Sequence, residues 1–173
     1  PGAAALVRML KANGEREVTI VGTDARADVS GRFLCDRFAQ VPPGSSSEYA
    51  EALVVVVERE RPDILFVQSS AEVGAVARAR AAFEALGARV LVACPEAVDT
   101  CNDKAAMHAT LAGCPVPQPE TFGPGSLEAF VAACERLGYP DRPVCFKPPV
   151  SKGSRGFRVL RADVDRAAVI LRE

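Results

Sequence analysis

The residues best suited to chemistry lie near the carboxyl end of the chain. A short apolar segment, Val144–Phe146, is followed at once by Lys147, and a polar loop over residues 151–156 then leads to a second apolar segment. Glycines in such a loop let backbone N–H groups approach an anion closely, and neighbouring cations add Coulomb attraction. The loop composition therefore indicates a binding site for a polyanion, but a solvated basic hairpin would have the same composition. The loop candidates are Lys152, Gly153, Ser154, Arg155 and Gly156.

A second group of polar residues follows the apolar segment 64–67, which has the composition of a buried strand. Ligands of parallel α/β sheets lie at the carboxyl ends of the strands, so these residues are candidates for binding substrate. Ser69 and Glu72 also have the spacing of a capping box, and helix capping alone would explain both. The candidates are Gln68, Ser69, Ser70 and Glu72.

The elements that must position both groups alternate over the first hundred residues. The pattern predicts strands at 18–23, 37–41, 64–67 and 89–93. It also predicts helices at 3–12, from a Ser45–Glu48 capping box to about residue 60, and at 72–86. Alternation of this kind predicts a parallel sheet with helices on both faces.

The pattern changes near residue 100. A connector at 95–100 precedes a helix at 104–111 that Asn102 or Asp103 caps. Next comes a proline-rich extended segment and then a helix at 127–137 that Ser126 caps. The two strands around the loop and a last helix from residue 163 complete the order. This order predicts a second lobe of α+β type, and we place the boundary between residues 1–100 and 101–173.

One part of the chain resembles the nucleotide-covering hairpin of ATP-grasp enzymes, especially the carbamoyl-phosphate-synthase-like members. It consists of the Lys147–Pro148 pair, the Ser/Gly-rich loop with its arginine, and the strand after the loop. Asp103–Lys104, which opens a helix, is similar to a second landmark of that superfamily. The resemblance implies a Rossmann-like parallel-sheet pre-ATP-grasp domain over residues 1–100. It implies an incomplete amino-terminal ATP-grasp lobe over residues 101–173.

The resemblance also implies an ATP-dependent ligase that activates a carboxylate as an acyl phosphate for attack by an amine or another nucleophile. Lys104 and Lys147 would reach the ATP phosphates, and Lys152 to Gly156 would cover them. In the family Mg²⁺ accompanies ATP, and its ligands lie in a later lobe, so we expect no metal ligand here and no turnover by this chain alone. Carbamoyl-phosphate synthases proper generally carry arginines at the two lysine positions, and in this respect the chain is more similar to simpler carboxylate–amine ligases.

Two other functions remain open. One is a non-catalytic nucleotide-binding module of the same fold, and the other is a Rossmann-type NAD(P) or nucleotide-sugar enzyme, for which no GxGxxG sequence is visible. A comparison of ATP·Mg²⁺ with NAD(P)H as stabilising ligands separates the Rossmann-type enzyme from the other two functions, and a pair of magnesium ligands in carboxyl-terminal sequence beyond residue 173 would favour the ligase over the non-catalytic module.

Composition narrows the set of partners. The 173 residues are 49% hydrophobic and carry a net charge of −1, so no strong field attracts nucleic acid or an anionic membrane. We expect small-molecule carboxylate and nucleophile substrates, a cytoplasmic location and, as one possible assembly, a homodimer. We expect the six cysteines to be reduced and mostly buried.

The two ends of the chain lead to a further expectation. The first residue is Pro1, and helix 3–12 has no strand ahead of it, whereas a strand normally precedes such a helix in an α/β fold. We therefore expect residues before Pro1 to supply a central strand beside 18–23, and more residues to follow Glu173.

Overall fold

The structure is a computed structural model that describes residues 2–151 and 153–162. The chain divides into two compact units, Pro1–Val98 and Asp99–Glu173. Which part of a larger enzyme each unit represents stays a prediction. Within the described residues, no helix is both long enough and apolar enough to cross a membrane.

The first unit alternates strands and helices, as its sequence predicts. Parallel pairing joins the first strand to the second and the third to the fourth, which confirms the α/β class. The strands are β1 (Val21–Asp24), β2 (Arg37–Gln40), β3 (Ile64–Phe66) and β4 (Arg89–Leu91), the helices are α1 (Gly2–Lys11), α2 (Tyr49–Glu60), α3 (Val73–Arg78) and α4 (Arg80–Ala85), and Ser30–Leu34 is a 3-10 helix. Among the described residues β1 pairs only with β2, and β3 only with β4. A strand supplied from ahead of Pro1 therefore stays a prediction.

The core of the first unit lies between the helices and one face of the strands. Tyr49, Phe83 and Val76 are fully buried there, and Val90 of β4 packs in the same cluster. The opposite face of β3 and β4 is apolar but exposed, because alternate residues of a strand point to opposite faces. We call Ile64, Phe66 and Leu91 the open sheet face; their exposed fractions are 53%, 49% and 48%.

Three local predictions for helices were wrong. The predicted helix 72–86 is two helices, because Ala79 leaves helical geometry at φ −91° and ψ 6°. The predicted connector 95–100 lies in a helix, α5 (Pro95–Asn102), whose first residue is a proline, a residue well suited to that position. The Ser45–Glu48 capping box does not form, since α2 begins at Tyr49 and Glu48 is its N-cap without a side-chain hydrogen bond.

The second unit combines helices with an antiparallel hairpin, as predicted. Its helices are α6 (Lys104–Leu111) and α7 (Leu127–Arg136), and its strands are β5 (Val144–Phe146) and β6 (Arg158–Leu160). The register places Val144 opposite Leu160, and both are buried with Cys134 and Tyr139. The Ser126 hydroxyl accepts from Ala129 N at 3.2 Å, so the predicted cap of α7 is confirmed. The helix predicted from residue 163 lies outside the described residues.

The prediction of mostly buried cysteines was wrong. All six are free thiols, but only Cys134 is buried, while Cys94, Cys101, Cys114 and Cys145 are exposed. Cys145 shows one cause, because it alternates along β5 with the buried Val144 and so faces outward.

We predict that Phe83→Ala lowers the free energy of unfolding of the first unit by about 3–5 kcal/mol, since the ring has no exposed surface and its removal leaves a cavity. Phe33→Ala is the matched control, because Phe33 is 85% exposed, and its effect should stay within about 0.5 kcal/mol. Urea denaturation followed by circular dichroism measures both. Equal losses for the two variants would contradict the packing described for α4.

Candidate functional site

The start of α6 is fixed by its cap. The Asp103 carboxylate accepts from the backbone N–H groups of Ala105 at 2.8 Å and Ala106 at 3.2 Å. Of the two caps that the sequence allowed, Asp103 is therefore the one that forms. Capping fixes the direction of the first turn and so the position of Lys104, the first helical residue.

Lys104 binds the beginning of the polar loop. Its Nζ donates to the Ser151 hydroxyl at 3.0 Å, and it lies 3.4 Å from the carbonyl oxygens of Pro149 and Ser151. The backbone N–H of Lys104 also donates to the Pro149 carbonyl at 2.9 Å. An antiparallel bridge between Asp103 and Val150 continues this pairing. The start of α6 and the start of the loop therefore form one hydrogen-bonded unit.

The charge of Lys104 is not neutralised by these contacts. All three oxygens near its ammonium are neutral, and no ion pair of the described residues includes it. The side chain is half-buried at the amino-terminal end of a helix whose first N–H groups already donate to Asp103 and Pro149. The ammonium is therefore the group that favours an anionic ligand.

Lys147 lies ahead of the loop, at the base of the hairpin. It follows β5 directly, is exposed, and its Nζ lies 5.7 Å from the centroid of the Phe157 ring. This cation–π contact leaves the ammonium accessible to solvent. Of the described residues, none forms an ion pair with Lys147, so the surface pairing that would make it a plain structural lysine is not seen there.

The loop itself turns through left-handed backbone. Gly153, Ser154 and Gly156 have φ values of 61°, 60° and 71°. The Phe157 N–H closes the turn on the Ser154 carbonyl at 3.2 Å. A Cβ at Gly153 would meet nothing within 4 Å, so the backbone angle and not crowding favours glycine at this position. Arg155 is exposed, and the predicted candidate Lys152 lies outside the described residues.

The second predicted group, in the first unit, is centred on Glu72. Its carboxylate lies near the Tyr49 hydroxyl and the backbone N–H of Ser69, and the influence of both lowers its pKa. The Ser69 hydroxyl accepts from Ala71 N at 3.3 Å and, among the described residues, not from Glu72 N as the capping box that the sequence indicated requires. Gln68 and Ser70 are exposed beside this cluster.

The surroundings of Glu72 make its carboxylate harder to ionise. Burial, and then the negative charge of Asp24 at the end of β1, raise the pKa of Glu72 above its ordinary value. The Tyr49 hydroxyl and the Ser69 N–H oppose this rise. Burial and the charge of Glu72 in turn raise the pKa of Tyr49, so the phenol keeps its proton at neutral pH.

Comparison with known proteins shows a similarity in sequence. Over 117 residues, which are 67% of this chain and 10% of the relative, the chain is 32% identical to the carbamoyl phosphate synthase large chain of Rubrobacter xylanophilus. It thus spans about a tenth of the length of that curated relative. No protein-family model matches the chain.

Solved structures extend the likeness over nearly the whole chain. The biotin carboxylase domain of Hydrogenobacter thermophilus 2-oxoglutarate carboxylase, a dimer solved with MgADP, ADP and bicarbonate, matches with a TM-score of 0.66 at 16% identity. The match covers 98% of this chain and 37% of that chain. The resemblance to the ATP-grasp superfamily is confirmed.

A second structure shows the same ATP-grasp fold. Biotin carboxylase from Campylobacter jejuni, solved as a β,γ-ATP complex, matches with a TM-score of 0.59 at 21% identity, over 91% of this chain and 35% of that chain. At these identities the likeness establishes the fold. The roles of individual residues stay predictions.

Three residues near these candidates were not among those predicted from the sequence. Ser151 binds Lys104, the Phe157 ring lies near the Lys147 ammonium, and Tyr49 lies near Glu72. Ser151 is the first residue of the predicted loop and Phe157 follows its last, and their polarity and aromaticity were visible. Tyr49 gave no signal in the sequence, because its partner lies more than twenty residues away, across β3.

We predict a difference in pH dependence between the wild-type chain and Glu72→Gln. Because the folded-state pKa of Glu72 is raised, its contribution to the free energy of unfolding is fully present below the unfolded-state pKa and is lost as the pH rises through the raised pKa. The amide cannot ionise, so the wild-type chain should lose stability relative to the variant over this window. Urea denaturation at a series of acidic to neutral pH values measures the difference. A constant difference in free energy would contradict the raised pKa.

Proposed function

We propose that this chain forms part of the nucleotide site of an ATP-dependent ligase of the ATP-grasp type. One observation carries the proposal: the ammonium of Lys104, without a carboxylate partner among the described residues, is hydrogen-bonded to the start of the hairpin loop. A cation and a glycine-containing loop are thus joined in one unit. These are groups that phosphate recognition uses.

The groups near Lys104 do not suit a metal ion. The described chain offers there an ammonium, which would repel a cation, together with two carbonyls and a hydroxyl, whereas Mg²⁺ prefers carboxylate oxygens and water. We therefore assign ATP phosphates to Lys104, Lys147 and the loop residues Gly153, Ser154, Arg155 and Gly156. Lys152 remains a candidate by its sequence alone. We expect the ligands of Mg²⁺ outside this set.

The proposed chemistry is the activation of a carboxylate as an acyl phosphate, followed by attack of an amine or another nucleophile. In this reaction the chain's own residues bind and orient the phosphates and neutralise their charge, which is the main protein contribution to phosphoryl transfer. When bound, Mg²⁺ would supply further charge neutralisation. Gln68, Ser69, Ser70 and Glu72 stay candidates for the acceptor substrate.

A nucleotide-binding module without catalysis would use the same lysines, so binding alone does not separate it from a ligase. Release of ADP that depends on an added carboxylate would establish the ligase. The Rossmann-type alternative predicts stabilisation by NAD(P)H in place of ATP·Mg²⁺, and a thermal-shift comparison tests it.

We predict that Lys147→Ala and Lys104→Ala each weaken the binding of a non-hydrolysable ATP analogue by about tenfold or more, because each removes a charge-assisted hydrogen bond to phosphate. The double variant should lose less binding free energy than the sum of the two single losses, since both lysines would touch one triphosphate. Isothermal titration calorimetry on the protein measures all three.

Lys11→Ala is the matched control. Lys11 is a lysine of the first unit that pairs with Asp36 at 2.7 Å, so its removal should leave nucleotide affinity unchanged. Unchanged affinity in both Lys104→Ala and Lys147→Ala would overturn the assignment, and the loop would then be a solvated hairpin.

A further inference from the structure

We propose that Ser151 is a positioning residue that orients Lys104 toward the phosphates of the nucleotide. The inference rests on the function proposed above and adds a residue to that site. Its basis is the contact between the Ser151 hydroxyl and the Lys104 ammonium at 3.0 Å, the shortest of the three contacts that this ammonium makes with the loop.

The backbone holds the two side chains in register without their help. The Lys104 N–H binds the Pro149 carbonyl at 2.9 Å, and the Asp103–Val150 bridge lies one residue further along the loop. Ser151 therefore occupies a fixed place beside Lys104 even before the side chains meet. Because its position is fixed, the hydroxyl can select one direction for a long and otherwise flexible lysine side chain.

The three contacts of the ammonium differ in strength. An ammonium has three donors, and the two carbonyl contacts at 3.4 Å are long for a hydrogen bond, whereas the hydroxyl contact lies in the normal range. A phosphate oxygen would replace the two long contacts first. The hydroxyl contact would remain and hold the ammonium in place while the other two donors turn to the ligand.

The two substitutions at Ser151 separate the hydroxyl from the rest of the residue. The hydroxyl accepts from Lys104 through a lone pair, and threonine keeps this contact whereas alanine removes it.

The test compares Ser151→Ala, Ser151→Thr and Lys104→Ala by isothermal titration with a non-hydrolysable ATP analogue and with AMP. We expect Ser151→Ala to weaken binding of the ATP analogue by about fivefold to tenfold and to leave affinity for AMP nearly unchanged. Ser151→Thr should keep most of the wild-type affinity for the analogue. In the Lys104→Ala background the effect of Ser151→Ala should shrink, because the residue acts through the lysine.

Ser126→Ala is the control for stability. It removes a serine hydroxyl from the same unit, where it caps α7, and so lowers stability without touching the loop. It should leave affinity for the ATP analogue unchanged. An equal loss of affinity in Ser126→Ala and Ser151→Ala would show a general structural effect and overturn the proposal.

The remaining outcomes separate this inference from the proposed function. If Lys104→Ala weakens the ATP analogue while Ser151→Ala does not, the positioning role is overturned and the nucleotide site stands. If neither lysine variant changes binding, or the wild-type protein binds no ATP analogue, the proposed function fails and this inference fails with it.

Discussion

The second unit depends on one physical connection, the pairing of the start of α6 with residues 149–151. Backbone hydrogen bonds make this connection, and the Lys104 side chain reinforces it. Without it, the loop after β5 would be anchored only where it joins the buried strands. With it, a cation on a helix and a loop on a hairpin keep a fixed relation, as a phosphate site requires. The core around Val144 and Leu160 fixes the hairpin base, and this connection fixes the beginning of the loop.

Features that depend on neighbouring residues could be predicted from the sequence. Asp103 and Ser126 were visible as helix caps, because a cap is a contact between residues two or three positions apart. The parallel strands of the first unit and the hairpin of the second followed from apolar segments separated by turn residues. The resemblance to ATP-grasp enzymes came from the Lys–Pro and the loop after it, which are also contiguous.

Features that depend on tertiary packing could not be predicted. Lys104 and Ser151 are 47 residues apart, and nothing in either segment indicates that they meet. The same holds for Tyr49 and Glu72, which raise or lower each other's pKa although they lie in separate segments of the chain. The break at Ala79 lies in a sequence of good helix formers, so local propensity gave no warning of it. Tertiary packing overrides local preference at each of these positions.

The open sheet face has a consequence for how the chain behaves in solution. Ile64, Phe66 and Leu91 are exposed together, and within the described residues β1 and β3 each pair on one side only. Exposed apolar side chains next to strand edges with unpaired backbone groups favour association between molecules. The isolated chain should therefore self-associate, and its apparent molar mass in sedimentation experiments should rise with concentration. A titration at millimolar chain concentration would then report self-association heat together with the heat of nucleotide binding.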